Sequence, residues 1–280
     1  MNHQTFYSKI CHECSQLITQ RYSTSFSMGI RLFDKSLRQP VYSIYGFVRF
    51  ADEIVDTFHG YDKNTLLNRF RDDTYRALDE QISLNPVLHA FQEVVHQYHI
   101  ERDLIDAFLD SMAMDLHFNT YHDALYKQYI YGSAEVVGLM CLRVFTNGDQ
   151  EKYQQLRSSA CALGSAFQKI NFLRDMKSDF AERGRVYFPG IDFCHFDNQQ
   201  KQLIETDIKA DFDAGLLGIR QLPKSARLGV YIAYIYYLNL FEKIKMANAE
   251  RVKQERIRVG DRQKVLLLFS ATARHQLNLW

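Results

Sequence analysis

The chain has 280 residues, a formal net charge of +1 and 46% hydrophobic residues. A charge this close to balance gives no electrostatic reason to expect a nucleic-acid partner. No run of roughly 18 apolar residues predicts a membrane-spanning helix, and neither a signal peptide nor a disulfide framework is expected. We therefore predict a cytoplasmic protein with one domain over residues 1–280.

The fold class follows from the distribution of helix-breaking residues. Four prolines occur in the whole chain, and the long stretches between them lack paired glycines. Such a composition favours long helices, so we predict an all-α fold. The expected helices span 4–20, 36–57, 64–81, 86–98, 102–120, a stretch ending near 183–184, one or two shorter helices within 192–222, a helix after Pro223, and 265–277.

A cluster of hydroxyl residues separates the first two predicted helices. Ser23, Thr24 and Ser25 lie there, and such residues usually cap helices or form turns. Hydroxyl groups and free backbone N–H groups near a helix start also suit an anion. The sequence leaves both interpretations open.

The predicted helix 36–57 carries two aspartates four residues apart. Arg49, Asp52 and Asp56 share one face of this helix. Arg49 either forms an intrahelical salt bridge, which contributes only a few tenths of a kcal/mol, or it directs its charge at an anionic ligand.

A second polar stripe lies on a mostly apolar helix. Gln168, Asn171, Asp175 and Asp179 follow each other at spacings of three and four. One such stripe is usually solvated, but two aspartate pairs on apolar helices call for a common explanation. Buried carboxylates need positive charge to compensate them, and Mg²⁺ takes oxygen ligands and commonly bridges carboxylates to phosphates. We therefore predict that the two pairs face each other across a cavity and hold Mg²⁺, with Mn²⁺ as an alternative ion.

The C-terminal part contains an aromatic helix and then a basic segment. Tyrosines recur at helical spacing after Pro223, and they either form core or line an apolar tunnel. Residues 255–264 include Arg256, Arg258, Arg262 and Lys264. Such a run is usually a solvated surface, although it also suits an anionic membrane surface.

Three segments together resemble a known family. They are Asp52-x-x-x-Asp56, Tyr129-x-Tyr131-x-x-Ala134 with Val137-Gly138, and Asn171-Phe-Leu-Arg174-Asp175-x-x-x-Asp179 with Arg185-Val-Tyr-Phe-Pro189 downstream. This ordered set is similar to the motifs of squalene and phytoene synthases, over about residues 22–268. The resemblance implies an isoprenoid synthase bundle around a deep cavity.

The resemblance also implies roles for individual residues. Asp52, Asp56, Asp175 and Asp179 would bind the metal, and Arg49, Asp52, Tyr129 and Asp175 would be catalytic. Asp115 matches a position that often faces the cavity. Glu135 replaces a glycine common in the family, and its carboxylate either reshapes the pocket or points outward. The expected substrate-binding residues are Ser23, Ser25, Arg49, Gln168, Asn171, Arg174 and Arg262.

The implied reaction joins two prenyl diphosphates head to head, and bacterial phytoene synthase is the preferred member of the family. Its substrates would be two geranylgeranyl diphosphates, and NADPH is not expected. A C15-using squalene, hydroxysqualene or dehydrosqualene synthase is the alternative. A scaffold protein on the same fold typically lacks the aspartates, and a head-to-tail prenyltransferase or terpene cyclase lacks the Tyr-x-Tyr helix. The apolar product implies peripheral contact with a membrane.

Overall fold

The computed structural model describes residues 3–276, with the side chains of residues 25, 261, 265, 275 and 276 excepted. The described residues form helices and no β-strand, which confirms the predicted all-α fold. The α-helices are α1 His3–Tyr22, α2 Thr24–Ile30, α3 Lys35–Thr57, α4 Lys63–Glu80, α5 Pro86–Tyr98, α6 Arg102–His117, α7 Asp123–Ile130, α8 Val136–Thr146, α9 Gln150–Arg183, α10 Asn198–Gln221, α11 Lys224–Met246, α12 Ala249–Gln254 and α13 Asp261–Gln276. A π-helical turn, Tyr131–Glu135, joins α7 to α8, and a 3₁₀ turn, Phe193–His195, precedes α10.

The predicted bounds of individual helices agree with the observed ones to within two residues except in α6 and α13. Helix α6 ends at His117 rather than 120, because Phe118 adopts an extended backbone. A single helix of 24 residues, α10, fills most of 192–222. Helix α13 begins at Asp261, before the predicted start at Val265, and the predicted end at Leu277 lies outside the described residues.

Caps explain where the central helices begin and end. The side chain of Asp149 accepts a hydrogen bond from the Lys152 backbone N–H at 2.8 Å and so starts α9. Gly184 ends this helix with a φ of +65°, a left-handed conformation that glycine adopts without steric cost. Between these caps α9 runs for 34 residues and carries the whole second polar stripe.

The π-helical turn packs unusually close to its neighbours. A Cβ atom on Gly132 would lie 2.3 Å from the carbonyl oxygen of Ala107 on α6. A Cβ atom on Gly164 of α9 would lie 2.8 Å from the carbonyl oxygen of Ala134. The glycines therefore allow α6, the turn and α9 to approach each other.

Two apolar clusters form the core. One is centred on α3, α5, α6 and α8, where the rings of Phe47 and Phe91 stack with their centroids 3.9 Å apart. The other is centred on α9, α10 and α11. None of the described helices is long and apolar enough to cross a membrane.

Candidate active site

A cavity of about 1110 Å³ opens in the helical bundle. Its wall comes from α2, α3, α6 to α11, the loop after α12, and α13. Apolar side chains from both core clusters line part of it, among them Phe33, Phe145, Leu156 and Leu222. Most of the charged side chains on its wall form ion pairs with one another. The cavity therefore combines an apolar chamber with a charged region.

The structure brings both aspartate pairs to this charged region. Asp52, Asp56, Asp175 and Asp179 all line the cavity. The guanidinium of Arg183, at the end of α9, lies 2.8 Å from Asp179 Oδ1 and 3.3 Å from Asp56 Oδ2. One cation thus joins the first pair, on α3, to the second pair, on α9.

Burial and mutual repulsion disfavour the charged forms of two of these carboxylates. Asp52 lies in the concave wall, and loss of water together with the charge of Asp56 raises its pKa to about 7. The pKa of Asp179 is raised to about 7 by burial and by the charge of Asp175. Added positive charge would therefore stabilise this region.

Three further arginines neutralise part of the negative charge. Arg185 Nη1 lies 3.4 Å from Asp56 Oδ1 and 3.5 Å from Asp115 Oδ1. Arg256 Nε lies 2.7 Å from Asp175 Oδ1. Arg174 also pairs with Asp175, its Nε donating to Oδ1 at 3.0 Å. Each described aspartate at the site except Asp52 therefore contacts a guanidinium from α9 or from a segment that follows it.

Asp115 lies at the centre of a network of tyrosines. It is buried, lines the cavity, and accepts hydrogen bonds from the hydroxyl groups of Tyr129 at 2.7 Å, Tyr121 at 3.2 Å and Tyr187 at 3.3 Å. Burial raises the pKa of Asp115 to about 6, against the opposing effect of Arg185. The expectation that Asp115 faces the cavity is confirmed.

The aromatic rings beside Asp115 form a continuous wall. Phe172 and Tyr187 stack with centroids 4.1 Å apart, and Tyr129 lies 5.1 Å from Tyr187. All three rings line the cavity next to its carboxylates. Burial and the nearby Asp115 charge raise the pKa of Tyr129 well above its ordinary value, so its hydroxyl stays protonated.

Arg49 contacts acidic neighbours on its own helix. Its guanidinium pairs with Asp52 and Glu53 and lies 4.3 Å above the ring centroid of Tyr22. It also lines the cavity, so Arg49 forms the intrahelical salt bridge and lies on the cavity wall.

The hydroxyl segment adjoins the same region of the wall. Ser23 lines the cavity and caps α2, its side chain accepting a hydrogen bond from the Phe26 backbone N–H at 3.2 Å. The side chain of Ser25 lies outside the described part of the structure. Its backbone lies in the first turn of α2.

The remaining predicted substrate-binding residues divide into two groups. Gln168 and Asn171 line the cavity, and Asn171 Oδ1 accepts a hydrogen bond from the Tyr237 hydroxyl at 3.3 Å. Arg262 is exposed at the start of α13 and is not among the residues that line the cavity. Arg256 and Arg258, from the loop before it, line the cavity instead.

Glu135 follows neither of the two expected alternatives. It is half-buried and does not line the cavity. Its carboxylate accepts a hydrogen bond from the Ser165 hydroxyl at 2.5 Å, across the interface between the π-helical turn and α9. The residue therefore stabilises helix packing behind the cavity wall.

The donor set of the charged region suits Mg²⁺. Its acidic ligands are oxygens, which hard cations prefer, and two of them have pKa values raised by crowding and burial. Among the described residues, no three acidic, histidine or cysteine side chains cluster closely enough to enclose a metal ion by themselves. This arrangement fits an ion held through one or two carboxylates and completed by phosphate and water.

Several site residues were not predicted from the sequence. Arg183 lies four residues beyond Asp179 on the same helix face, so the spacing that identified the stripe extends to it. Arg185 was noted as part of a motif but was given no role. Arg256 approaches Asp175 from a loop, where helical spacing gives no signal.

The chain is similar to known proteins. The pattern of the squalene/phytoene synthase family matches residues 19–263. The chain is 26% identical over 273 residues to "Phytoene synthase 1, chloroplastic" of Zea mays, which covers 90% of this chain and 65% of that protein. It is 29% identical over 272 residues to "15-cis-phytoene synthase" of Synechococcus elongatus, covering 86% of this chain and 85% of that one. The chain thus spans just under two thirds of the length of the maize relative.

The fold is also found among solved structures. A dehydrosqualene synthase crystallised with a ligand superposes with a TM-score of 0.82 at 19% identity, covering 96% of this chain and 98% of that chain. The predicted isoprenoid synthase fold is thereby confirmed.

Proposed function

The chain belongs to the squalene/phytoene synthase family, and we propose that it joins two prenyl diphosphates head to head. The observation that best supports this activity is the convergence of both aspartate pairs on one cavity, where Arg183 contacts Asp56 and Asp179. Head-to-head coupling removes two diphosphate groups in succession. A site with two facing pairs of carboxylates suits the loss of both diphosphate groups.

The proposed substrates are two molecules of geranylgeranyl diphosphate, and the product is phytoene, a carotenoid precursor. The relatives from Zea mays and Synechococcus elongatus carry the name phytoene synthase and align with most of this chain. The intermediate would be prephytoene diphosphate, a cyclopropylcarbinyl diphosphate. No NADPH is needed for this product.

Mg²⁺ would be held by Asp52, Asp56, Asp175 and Asp179, with Mn²⁺ as an alternative. A bound divalent cation supplies Lewis-acid stabilisation of the departing diphosphate. The arginines that contact these carboxylates provide further positive charge toward the same oxygens, and bidentate guanidinium groups suit phosphate.

The aromatic side chains of the cavity wall stabilise the carbocation that the reaction forms. The first C–O bond breaks and leaves an allylic cation, which the second substrate's double bond attacks, with loss of a proton. The faces of Tyr129, Phe172 and Tyr187 attract a cation without forming a bond to it. The second C–O bond then breaks, the cyclopropane rearranges, and a second proton is lost to give the triene.

The network around Asp115 positions Tyr129 for this chemistry. The hydroxyl of Tyr129 donates to Asp115, so its proton is fixed and its ring is oriented toward the cavity. Apolar side chains along the rest of the wall exclude water that would capture the cation.

Product analysis tests this proposal. Purified protein is incubated with Mg²⁺ and either geranylgeranyl or farnesyl diphosphate, with and without NADPH, and the products are identified by mass. A C40 hydrocarbon formed without NADPH from geranylgeranyl diphosphate is expected. A C30 product from farnesyl diphosphate alone would reassign the chain to squalene, hydroxysqualene or dehydrosqualene synthesis. Chain extension that occurs only when isopentenyl diphosphate is added, with no product from a single allylic diphosphate, would indicate head-to-tail coupling.

A further inference from the structure

We propose that the hydroxyl group of Ser133 donates a hydrogen bond to a diphosphate oxygen of a bound prenyl substrate. This bond positions the diphosphate at the boundary between the charged region and the apolar chamber. Ser133 lies in the π-helical turn, is half-buried and lines the cavity. It was not among the residues predicted from the sequence.

The hydroxyl of Ser133 lacks a hydrogen-bond partner. Its oxygen is buried, and no group in the described part of the protein bonds to it. Hydroxyl residues inside helices can donate to a backbone carbonyl one turn earlier. Thr74 donates in this way to the carbonyl four residues before it, and Ser111 to the carbonyl three residues before it, both at 2.7 Å. Ser133 is therefore an exception within this chain.

The π-helical turn gives a physical reason for the exception. The backbone N–H of Val136 bonds to the carbonyl of Tyr131, five residues earlier. This wider turn shifts the carbonyl groups relative to those of an α-helix, so the usual acceptor is out of reach of Ser133. Turns of this kind occur frequently at functional sites. A buried donor without a partner costs free energy, which a ligand that supplies the acceptor would recover.

Two other buried polar atoms among the described side chains also lack a partner, Ser15 Oγ and Arg49 Nε. Ser15 packs against Gly46 and does not line the cavity, so its position indicates no ligand. Arg49 lines the cavity and is one of the expected substrate-binding residues. An unpaired donor on the cavity wall thus coincides, at Arg49, with an independent prediction of substrate binding.

The place of Ser133 on the wall identifies the part of the ligand that it contacts. A column of residues at spacings of four, along α7, the π-helical turn and α8, lines the cavity: Tyr129, Ser133, Val137, Cys141 and Phe145. The column begins in the charged region, where Tyr129 donates to Asp115, and reaches the apolar chamber at Phe145. Ser133 follows Tyr129 by roughly 6 Å along the helix axis, so it lies where the two regions meet.

The chemistry of the substrate then determines the acceptor, and this step rests on the proposed function. The hydrocarbon chain of a prenyl diphosphate has no hydrogen-bond acceptor, so the hydroxyl can bond only to the diphosphate. Rotation about the Cα–Cβ bond of Ser133 turns its oxygen toward the cavity. Hydrogen bonds to charged acceptors are stronger than those between neutral groups. The bond would hold the diphosphate beside the ring of Tyr129.

Binding of an unreactive substrate analogue tests the proposal without turnover. The probe is geranylgeranyl thiolodiphosphate with Mg²⁺, in which sulfur replaces the oxygen bonded to the prenyl chain and prevents ionisation. Calorimetry measures its affinity. Ser133→Ala should weaken binding by about tenfold, because one hydrogen bond to a charged group is lost. Ser133→Thr keeps the hydroxyl and should bind within about threefold of the unaltered chain.

Thermal denaturation separates this role from a structural one. Ser133→Ala removes a buried hydroxyl that has no partner, so the variant should be at least as stable as the unaltered chain. A hydroxyl that stabilised the fold would give the opposite result. Weaker binding together with undiminished stability is therefore the expected signature.

Ser178→Ala is the matched control. Ser178 also lines the cavity, but its hydroxyl already donates to the Asp175 carbonyl oxygen at 2.9 Å, so affinity for the analogue should be unchanged. Unchanged affinity in Ser133→Ala, an equal loss in Ser178→Ala or in Ser133→Thr, or reduced stability of Ser133→Ala would overturn the proposal.

The farnesyl analogue is tested in parallel, because the proposed bond involves the diphosphate and not the length of the chain. The effect of Ser133→Ala is expected with whichever analogue the unaltered chain binds, and failure to bind both would also overturn the proposal. Affinity for an unreactive analogue is measured independently of product identity, so this proposal and the proposed function fail separately.

Discussion

Asp56 on α3 and Asp179 on α9 share one cation, because the guanidinium of Arg183 lies 3.3 Å from the first carboxylate and 2.8 Å from the second. The two aspartate pairs are far apart in the sequence, yet this contact couples the charges of the two pairs. Arg183 stabilises the metal-free site and occupies carboxylate oxygens that a metal ion would use.

Arg183→Gln should therefore have opposite effects in the absence and presence of Mg²⁺. Without the metal, the variant lacks the positive charge that balances the carboxylates of Asp56 and Asp179. We therefore expect a loss of about 1–2 kcal/mol in the free energy of unfolding. With millimolar Mg²⁺ most of this loss should be recovered. Thermal denaturation with and without Mg²⁺ measures both effects.

Arg251→Gln is the control for this experiment, because Arg251 forms an exposed ion pair with Glu255. Exposed pairs contribute little, so this variant should denature like the unaltered chain under both conditions. A loss in Arg183→Gln that Mg²⁺ does not reverse would show that Arg183 acts only in packing.

Mg²⁺ binding should strengthen with pH. The pKa values of Asp52 and Asp179 are raised from 3.8 to about 7 in the folded protein. Between about pH 4 and about pH 7 these aspartates are deprotonated in the unfolded chain but still protonated in the folded protein. The free energy of unfolding of the metal-free protein should therefore decrease over this range and change little above about pH 7. A metal binds the deprotonated carboxylates, so Mg²⁺ affinity measured by calorimetry should be higher at about pH 8 than at about pH 6. Equal affinity at the two pH values would contradict metal binding by these groups.

Tyr129→Phe should reduce turnover by about tenfold to a hundredfold. The substitution keeps the ring but removes the hydroxyl that orients it by donating to Asp115 at 2.7 Å, and a small displacement of a group at the reacting centre costs on this scale. Tyr121→Phe removes another hydrogen bond to Asp115, at 3.2 Å, from a residue that does not line the cavity. Its effect on kcat should be much smaller. Equal effects of the two variants would indicate that both tyrosines act only by fixing Asp115.

Gly132→Ala should destabilise the fold by about 1–3 kcal/mol or more. The new methyl group would lie 2.3 Å from the Ala107 carbonyl oxygen and 2.6 Å from Ser111 Cβ, so α6 and the π-helical turn must separate. At Gly60 a methyl group meets nothing within 4 Å. Gly60→Ala should therefore leave the urea midpoint nearly unchanged, and a similar shift in both variants would contradict the packing argument.

Sequence patterns predicted those parts of the site that lie on one helix. The spacing of Asp52 and Asp56, and of Asn171, Asp175 and Asp179, defines a helix face without reference to the rest of the fold. Burying like charges close together costs free energy unless a common cation compensates them. This physical argument predicted that both pairs contribute to one site.

Contacts between elements were less predictable. Arg256 reaches Asp175 from the loop after α12, whereas Arg262 is the residue of this segment that the sequence analysis expects to bind substrate. Helical spacing gives no register within a loop, so it could not distinguish the two arginines. The direction of Glu135 depends on the π-helical turn, which rotates the chain relative to a continuous α-helix and brings the carboxylate to Ser165.

The central claim is that both aspartate pairs serve one reaction that removes two diphosphates from two identical substrates. The most direct test is the ratio of inorganic pyrophosphate released to hydrocarbon formed from labelled geranylgeranyl diphosphate and Mg²⁺. We predict a ratio of two, with product formation abolished by either Asp56→Asn or Asp179→Asn. A ratio of one, or a product that still carries a diphosphate as the end point, would contradict the removal of both diphosphates at this site.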